Sequence, residues 1–400
     1  MTAPALSLWR MQWGFALLNL ALTAPMIYLM LGLPLVMRQH GWSGVEIGVF
    51  QMAGLPALAK AWLAVPVQRL GQPRRWLWGL CALYALALLG LALLDAHSPR
   101  PLLFALVLAC ALCATWADIP ASVLTMACLP ASERPRAGGA RSASTFLAAI
   151  VGGGAMVLLQ QSQGWAAPLG VLAALLLLGV LALLGVGASA GQLEATPTPA
   201  GNWRAFWRQP GALGWAVLLL GYFPFVATAW IYLKPLLLDQ GFAAGQVAAW
   251  VGLGGGALGA AASWLATRRL RRAQLARVLP WSAWANALAL AALALSAALS
   301  PPAPCWWLAG ALLAMAMGVC AALAFAVMME FSRHQQWAAD YGAQASLFAA
   351  GRLAAPPLAG LLLDWQGWPG MLLALALAAA LAACAAWWMN PLMQMRRAHD

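Results

Sequence analysis

The only two lysines among these 400 residues both sit inside apolar stretches, Lys60 in GLPALAKAWLAVP and Lys234 in ATAWIYLKPLLL. A lysine at the centre of a bilayer costs about 2.5–3.5 kcal/mol on insertion scales. Such a residue is a buried counter-charge or lines a solute pathway. Asp118, in ATWADIPASV, and Arg352, in SLFAAGRLAAPPLAG, are further charges deep in apolar sequence. Lys60 precedes Arg69 by nine residues, about 13 Å of helical rise, and Asp118 precedes Pro130 by twelve, about 18 Å. Both are therefore expected in the inner half of a membrane at comparable depth, close enough in level to form an ion pair. Two roles stay open: a switch that opens when a proton or solute binds, and a permanent pair holding helices together. Asp118 is the candidate for proton coupling. Pro120 frees the backbone carbonyl of Trp116, so a kink is expected beside Asp118.

Arg352 has two readings. It can receive an anion, or it can be neutralised by Glu330 or Asp340. Lys234 lies toward the outer end of its apolar segment, where it can greet an anion, snorkel to the interface or pair with Asp239.

The elements that must position these charges follow from composition. The chain is 64% hydrophobic and 8% charged, against about 25% charged in an ordinary soluble domain. It cannot cover itself with polar surface in water. Its apolar runs are about 20 residues long and lack the alternation of membrane strands, so they are expected to be helices. The net charge of +12 is explained by the positive-inside rule rather than by nucleic acid. The seven cysteines, including Cys110 and Cys113 in a CxxC, fall in apolar sequence and read as packing residues. The four histidines form no ligand cluster. No metal or cofactor is expected. There is no Walker P-loop, HExxH or nucleophile elbow, which argues against an enzyme.

Apolar segments at 11–36, 45–67, 76–94, 101–129, 142–161, 167–188, 211–238, 245–266, 278–299, 305–329, 341–363 and 370–390 predict twelve transmembrane helices. The first follows Arg10 and is too long for a cleaved signal peptide. Seventeen arginines fall in loops on one side, while only Arg38 and Arg100 lie on the other. That asymmetry predicts both termini in the cytoplasm. The hydrophilic stretch 189–210 reads as a linker between an N-terminal six-helix bundle, 1–188, and a C-terminal one, 211–400, with a short interfacial helix near Trp203–Arg208. PLVMRQHGW (34–42) is echoed by PLLLDQGF (235–242), Gly54 by Gly254, and QGW at 163–165 by QGW at 366–368. The offset near 200 argues for a duplicated six-helix unit. Compositional bias to Arg, Ala, Gly and Pro points to a GC-rich bacterial source.

Twelve helices, a central linker and six-plus-six duplication resemble the major facilitator superfamily. VPVQRLGQPRR (65–75) resembles its loop signature after helix two and keeps Arg69, Gly71, Arg74 and Arg75, with Gln68 in place of the usual aspartate. A narrower resemblance, over residues 31–165, is to permeases for muropeptides, acetyl-CoA and siderophores. Their second helix reads approximately GLPxxLKxxWAPxxD, and Gly54, Leu55, Pro56, Leu58, Lys60 and Pro66 match it. Asp118, Leu129, Pro130, Glu133 and Arg134 match their QDIAxDA…LPxxERGRGNA, with Ser122 replacing the second aspartate. Chain length and LPLVMRQHG favour the compact siderophore importers within that branch.

The resemblance implies further roles. Helices two and eleven of the superfamily face each other, so Arg352 and Lys60 would present like charges to a central cavity and favour an anionic solute. Helices one and seven line that cavity. Asn19, Thr23 and Tyr28 on one, and Tyr222, Thr228, Trp230 and Tyr232 on the other, become candidate solute contacts or helix-binding residues. Trp116, two residues from Asp118, joins them. The triple glycines Gly152, Gly153, Gly154 and Gly254, Gly255, Gly256 lie on helices five and eight, which pack together in the superfamily, and would form a sliding seam or a static close contact. The expected protein is a monomeric secondary transporter of a bacterial inner membrane. It would couple protons to import of a ferric siderophore or similar organic anion. Muropeptide import, efflux, and a membrane-embedded enzyme or scaffold are the alternatives.

Overall fold

The computed structural model describes residues 5–33, 36–37, 50, 52–95, 97–182 and 203–397. The described residues are helical almost throughout, with no strand among them. The helices are α1 (Leu8–Gly32), α3 (Pro73–Ala92), α4 (Arg100–Cys128), α5 (Ala131–Gln163), α7 (Ala212–Asp239), α8 (Gly245–Arg268), α9 (Arg272–Leu299), α10 (Ala303–Phe331) and the long run α11 (His334–Gln394). These nine are long and apolar enough to cross a membrane. Two shorter helices complete the set, α2 (Lys60–Leu70) and α6 (Ala166–Leu181).

The differences from the sequence expectation are local. α2 is preceded by a 3-10 stretch, Met52–Ala59, carrying Pro56; the start predicted at residue 45 lies outside the described residues, as does most of the linker. A short helix does form at Trp203–Trp207. α4 runs unbroken through Pro120. The last two predicted helices form a single run, Trp337–Trp388, interrupted by one non-helical residue, Gly367 (φ +68°, ψ −172°). A side chain is strained at that positive φ, so the glycine in QGW lets the chain turn there. Gly71 does the same between α2 and α3 at φ +64°, which gives the loop signature's glycine its physical reason.

Leucines such as Leu83, Leu86 and Leu89 on α3 and Leu288 and Leu295 on α9 are exposed. An apolar exterior of this extent is a lipid-facing surface.

The chain divides into two compact units. Unit 1 comprises the chain up to Pro130, Ser144–Gly201 and Ser332–Ala343; unit 2 comprises Ala131–Ala143, Asn202–Phe331 and Gln344–Asp400. In unit 1, α3 packs on α4 and α6, and α1 on α6 and α4. In unit 2, α10 is central and packs on α8, α9 and α7. Each unit thus takes one short segment, 332–343 or 131–143, from the stretch of chain that otherwise builds the other.

Candidate functional site

Lys60 begins α2, where the 3-10 stretch passes into α-helix. Its Nζ lies 2.6 Å from Asp118 Oδ2 on α4. Both side chains are mostly buried, 17% and 15% exposed. Charge-assisted contacts at this distance are among the strong ones, and removing one partner of a buried pair costs about 3–5 kcal/mol because the other charge is left uncompensated. The hydroxyl of Tyr341 donates to the same oxygen at 3.0 Å. Asp118 therefore receives an ammonium and a phenol together. Ser122 turns its hydroxyl back to the Asp118 carbonyl at 2.8 Å, so this position satisfies backbone instead of supplying a second carboxylate.

The segment that carries Tyr341 is held tightly. A Cβ on Gly342 would lie 2.7 Å from the Lys60 carbonyl oxygen and 2.6 Å from Ala64 Cβ, so only glycine allows this approach. Gln68, buried in the last turn of α2, accepts from the Ala338 N–H (3.2 Å) and donates to the Gln335 carbonyl (2.8 Å). The Ala338 amide belongs to the first turn of the helix starting at Trp337, where N–H groups lack intrahelical partners. The neutral amide thus caps that helix in the position where the superfamily places an aspartate, and it gains a donor contact that a carboxylate could not make.

Arg352 stands apart. Its guanidinium lies 6.0 Å and 5.9 Å from the ring centroids of Phe223 and Phe348, at the edge of cation–π range. No carboxylate among the described residues pairs with it. Glu330 is bound by Arg134 and Arg272, and Asp340 by Arg333, which removes both neutralising partners expected from the sequence. Lys234 is exposed, and Asp239 accepts from the Trp368 indole at 2.9 Å rather than from the lysine.

The remaining candidates are mostly engaged with neighbouring helices. Asn19 donates to Ser144 (2.9 Å) and Thr145 (3.1 Å) on α5. Tyr222 is buried, with its hydroxyl on Ser282 and its carbonyl receiving Asn286. Tyr232 donates to the Pro356 carbonyl at 3.0 Å. Trp116 packs on Trp76 of α3, ring centroids 5.2 Å apart. Two residues along a helix turn the side chain about 200°, away from the Asp118 side. Its indole N–H, with the hydroxyls of Tyr28 and Thr228, is buried without a hydrogen-bond partner among the described residues. Trp230 covers Gly255, where a Cβ would lie 2.2 Å from the indole. A Cβ on Gly152 would lie 2.3 Å from the Ala24 carbonyl of α1, while Gly153 and Gly154 have ordinary or open surroundings, as does Gly254; Gly256 is buried. The tight contacts of these glycines are thus made within each unit. Of the loop signature, Arg69 and Arg75 are exposed and Arg74 is half-buried.

Sequence reasoning missed Tyr341 and Gly342, and also the glycines Gly138 and Gly139. A Cβ on Gly138 would lie 2.4 Å from the Ala322 carbonyl of α10, and one on Gly139 2.8 Å from the Ser263 carbonyl of α8. A signal was present. Ala137, Ala143, Ser144 and Phe146 recur as Ala339, Ala345, Ser346 and Phe348, an offset of 202 that matches the other internal echoes. The echo overlaps the ends of the two segments exchanged between units.

A sequence profile described as Major Facilitator Superfamily matches residues 14–280. Among solved structures, the chain is similar to the proton:xylose symporter XylE bound to 6-bromo-6-deoxy-D-glucose, with a TM-score of 0.74, 11% identity and 96% of each chain covered. It is also similar to the human organic anion transporter MFSD10 (TETRAN), with a TM-score of 0.66, 15% identity, and 96% of this chain and 100% of that one covered. At these identities the likeness is one of fold.

Proposed function

We propose that this chain, which belongs to the major facilitator superfamily and is a multi-pass membrane transporter rather than an enzyme, couples proton movement to import of an organic anion through Asp118. The observation that carries the reading is the convergence of Lys60 Nζ and Tyr341 Oη on one carboxylate oxygen. Protonating that carboxylate removes the charge both donors address, so a proton weakens the attachment of α2 and of the Tyr341 segment to α4 together. Inward movement of one positive charge is worth about 2.3 kcal/mol per 100 mV, enough to drive modest accumulation.

The anionic solute rests on Arg352, a guanidinium flanked by two phenylalanines and by no carboxylate among the described residues. With the helix-two and helix-four resemblance, this favours a ferric siderophore; a muropeptide is the second reading, since the same branch carries both. We further propose twelve crossings, with Gly367 dividing the last run, in two bundles of six whose glycines ease their packing. Both termini are assigned to the cytoplasm of a bacterial inner membrane on the arginine asymmetry.

The test is uptake of a panel of radiolabelled iron–siderophore complexes into cells with and without the gene, with a protonophore arm and an Asp118→Asn arm. Gene-dependent accumulation of one chelate, abolished by protonophore and by Asp118→Asn, is expected. Uptake that survives both treatments would overturn the coupling; no uptake of any chelate would overturn the solute class and direct the same assay to muropeptides.

A further inference from the structure

At the junction of α5 with the turn between α8 and α9, unit 2 contains a cleft of about 670 Å³ lined by Arg136, Arg268, Arg269, Arg271 and Arg272 beside Glu133. Three of its guanidiniums are held by neighbouring groups. Arg136 forks onto Glu133 at 2.8 and 3.0 Å, while its Nε donates to the Arg268 carbonyl at 3.0 Å. Arg272 reaches Glu330 at 2.7 Å, alongside Arg134 at 3.2 Å. Arg268 lies 4.9 Å from the ring centroid of Trp264. Arg269 and Arg271 have no carboxylate partner among the described residues. Five guanidiniums thus line the cleft beside one carboxylate, and the surplus positive charge is concentrated on one concave surface.

A topological signal needs only an excess of arginine in a loop. It does not need guanidiniums held around a cavity. A planar guanidinium offers paired donors that match phosphate oxygens, and basic pockets on the cytoplasmic side of membrane helices suit phospholipid headgroups. Trp264 and Leu265 are both exposed, and Trp264 lies one turn before Arg268 on the same face of α8. An apolar strip therefore adjoins the cleft, as acyl chains beneath a headgroup require.

We propose that this cleft is a phosphate site, filled by the headgroup of an anionic phospholipid, and separate from the solute pathway. Purified protein in detergent, measured by native mass spectrometry, is expected to retain dioleoyl phosphatidylglycerol and not dioleoylglycerol. Arg269→Gln/Arg271→Gln should weaken that binding about thirtyfold, at about fivefold per guanidinium. Arg269→Lys/Arg271→Lys, which keeps both charges, should retain most of it. Arg208→Gln/Arg277→Gln removes the same charge from exposed positions outside the cleft and should leave it within about threefold of the unmodified protein. Equal weakening by both glutamine pairs, or none by the cleft pair, would overturn the site. A parallel arm measures thermal stabilisation of delipidated protein by inorganic phosphate. Stabilisation lost in the cleft variant, without phosphatidylglycerol retention, would keep the phosphate site and overturn the lipid as its source.

Discussion

The Tyr341 hydroxyl and the Asp118 carboxylate are 223 positions apart in the chain and 3.0 Å apart in space. Because Lys60 binds the same oxygen, three distant segments meet on one protonatable atom.

Breaking the pair from one side should harm more than removing both partners. Lys60→Met or Asp118→Leu alone leaves a buried charge and should cost about 3–5 kcal/mol; the double replacement should recover a large part of that. Thermal unfolding in detergent measures it. A double variant as unstable as the worse single one would mean that packing, not charge, dominates here.

Tyr341→Phe deletes one hydrogen bond to Asp118 with little change in volume. The expected loss is about 0.5–1.5 kcal/mol of stability, together with reduced proton-driven uptake. Unaltered uptake would reduce the phenol to a packing residue.

Gly342→Ala forces a methyl against the Lys60 carbonyl and Ala64. Overpacking of this kind costs about 1–3 kcal/mol. The variant should unfold at lower temperature, and labelling of single cysteines introduced along 332–343 should rise. A silent substitution would show that the two backbones separate freely.

Gln68→Ala removes a helix cap and should cost about 1 kcal/mol. Gln68→Asp keeps an acceptor for the Ala338 amide but loses the donor to Gln335, so it should fall between the two. Stability ranked Gln, Asp, Ala checks the assignment, and Asp above Gln would contradict it.

Arg352→Gln should weaken uptake of an anionic solute by about tenfold to a hundredfold, the range for a hydrogen bond to a charged group. Arg352→Lys should recover only part, because the paired donors are lost. The KM of uptake is the readout, and a variant with unchanged KM would place Arg352 outside the solute path.

Some of this was legible without a structure. Hydropathy is a local property, so the spans could be read from composition and run length. Helical rise is fixed per residue, so the matching depths of Lys60 and Asp118 followed from counting to Arg69 and Pro130. Pro120, by contrast, stands inside α4 without ending the helix.

What the sequence by itself determined is therefore the class of molecule, a multi-pass helical membrane protein. Only the tertiary structure decided which charges have partners. Glu330 and Asp340 could each have neutralised Arg352 by position along the chain; instead Arg134, Arg272 and Arg333 hold them. Tyr341 reached Asp118, and Gln68 reached Gln335 and Ala338, across separations of more than two hundred residues. The physical reason is range. Propensity, rise and hydropathy act within a few residues, whereas an ion pair or a cap is chosen by whichever distant segment packing brings within about 3 Å.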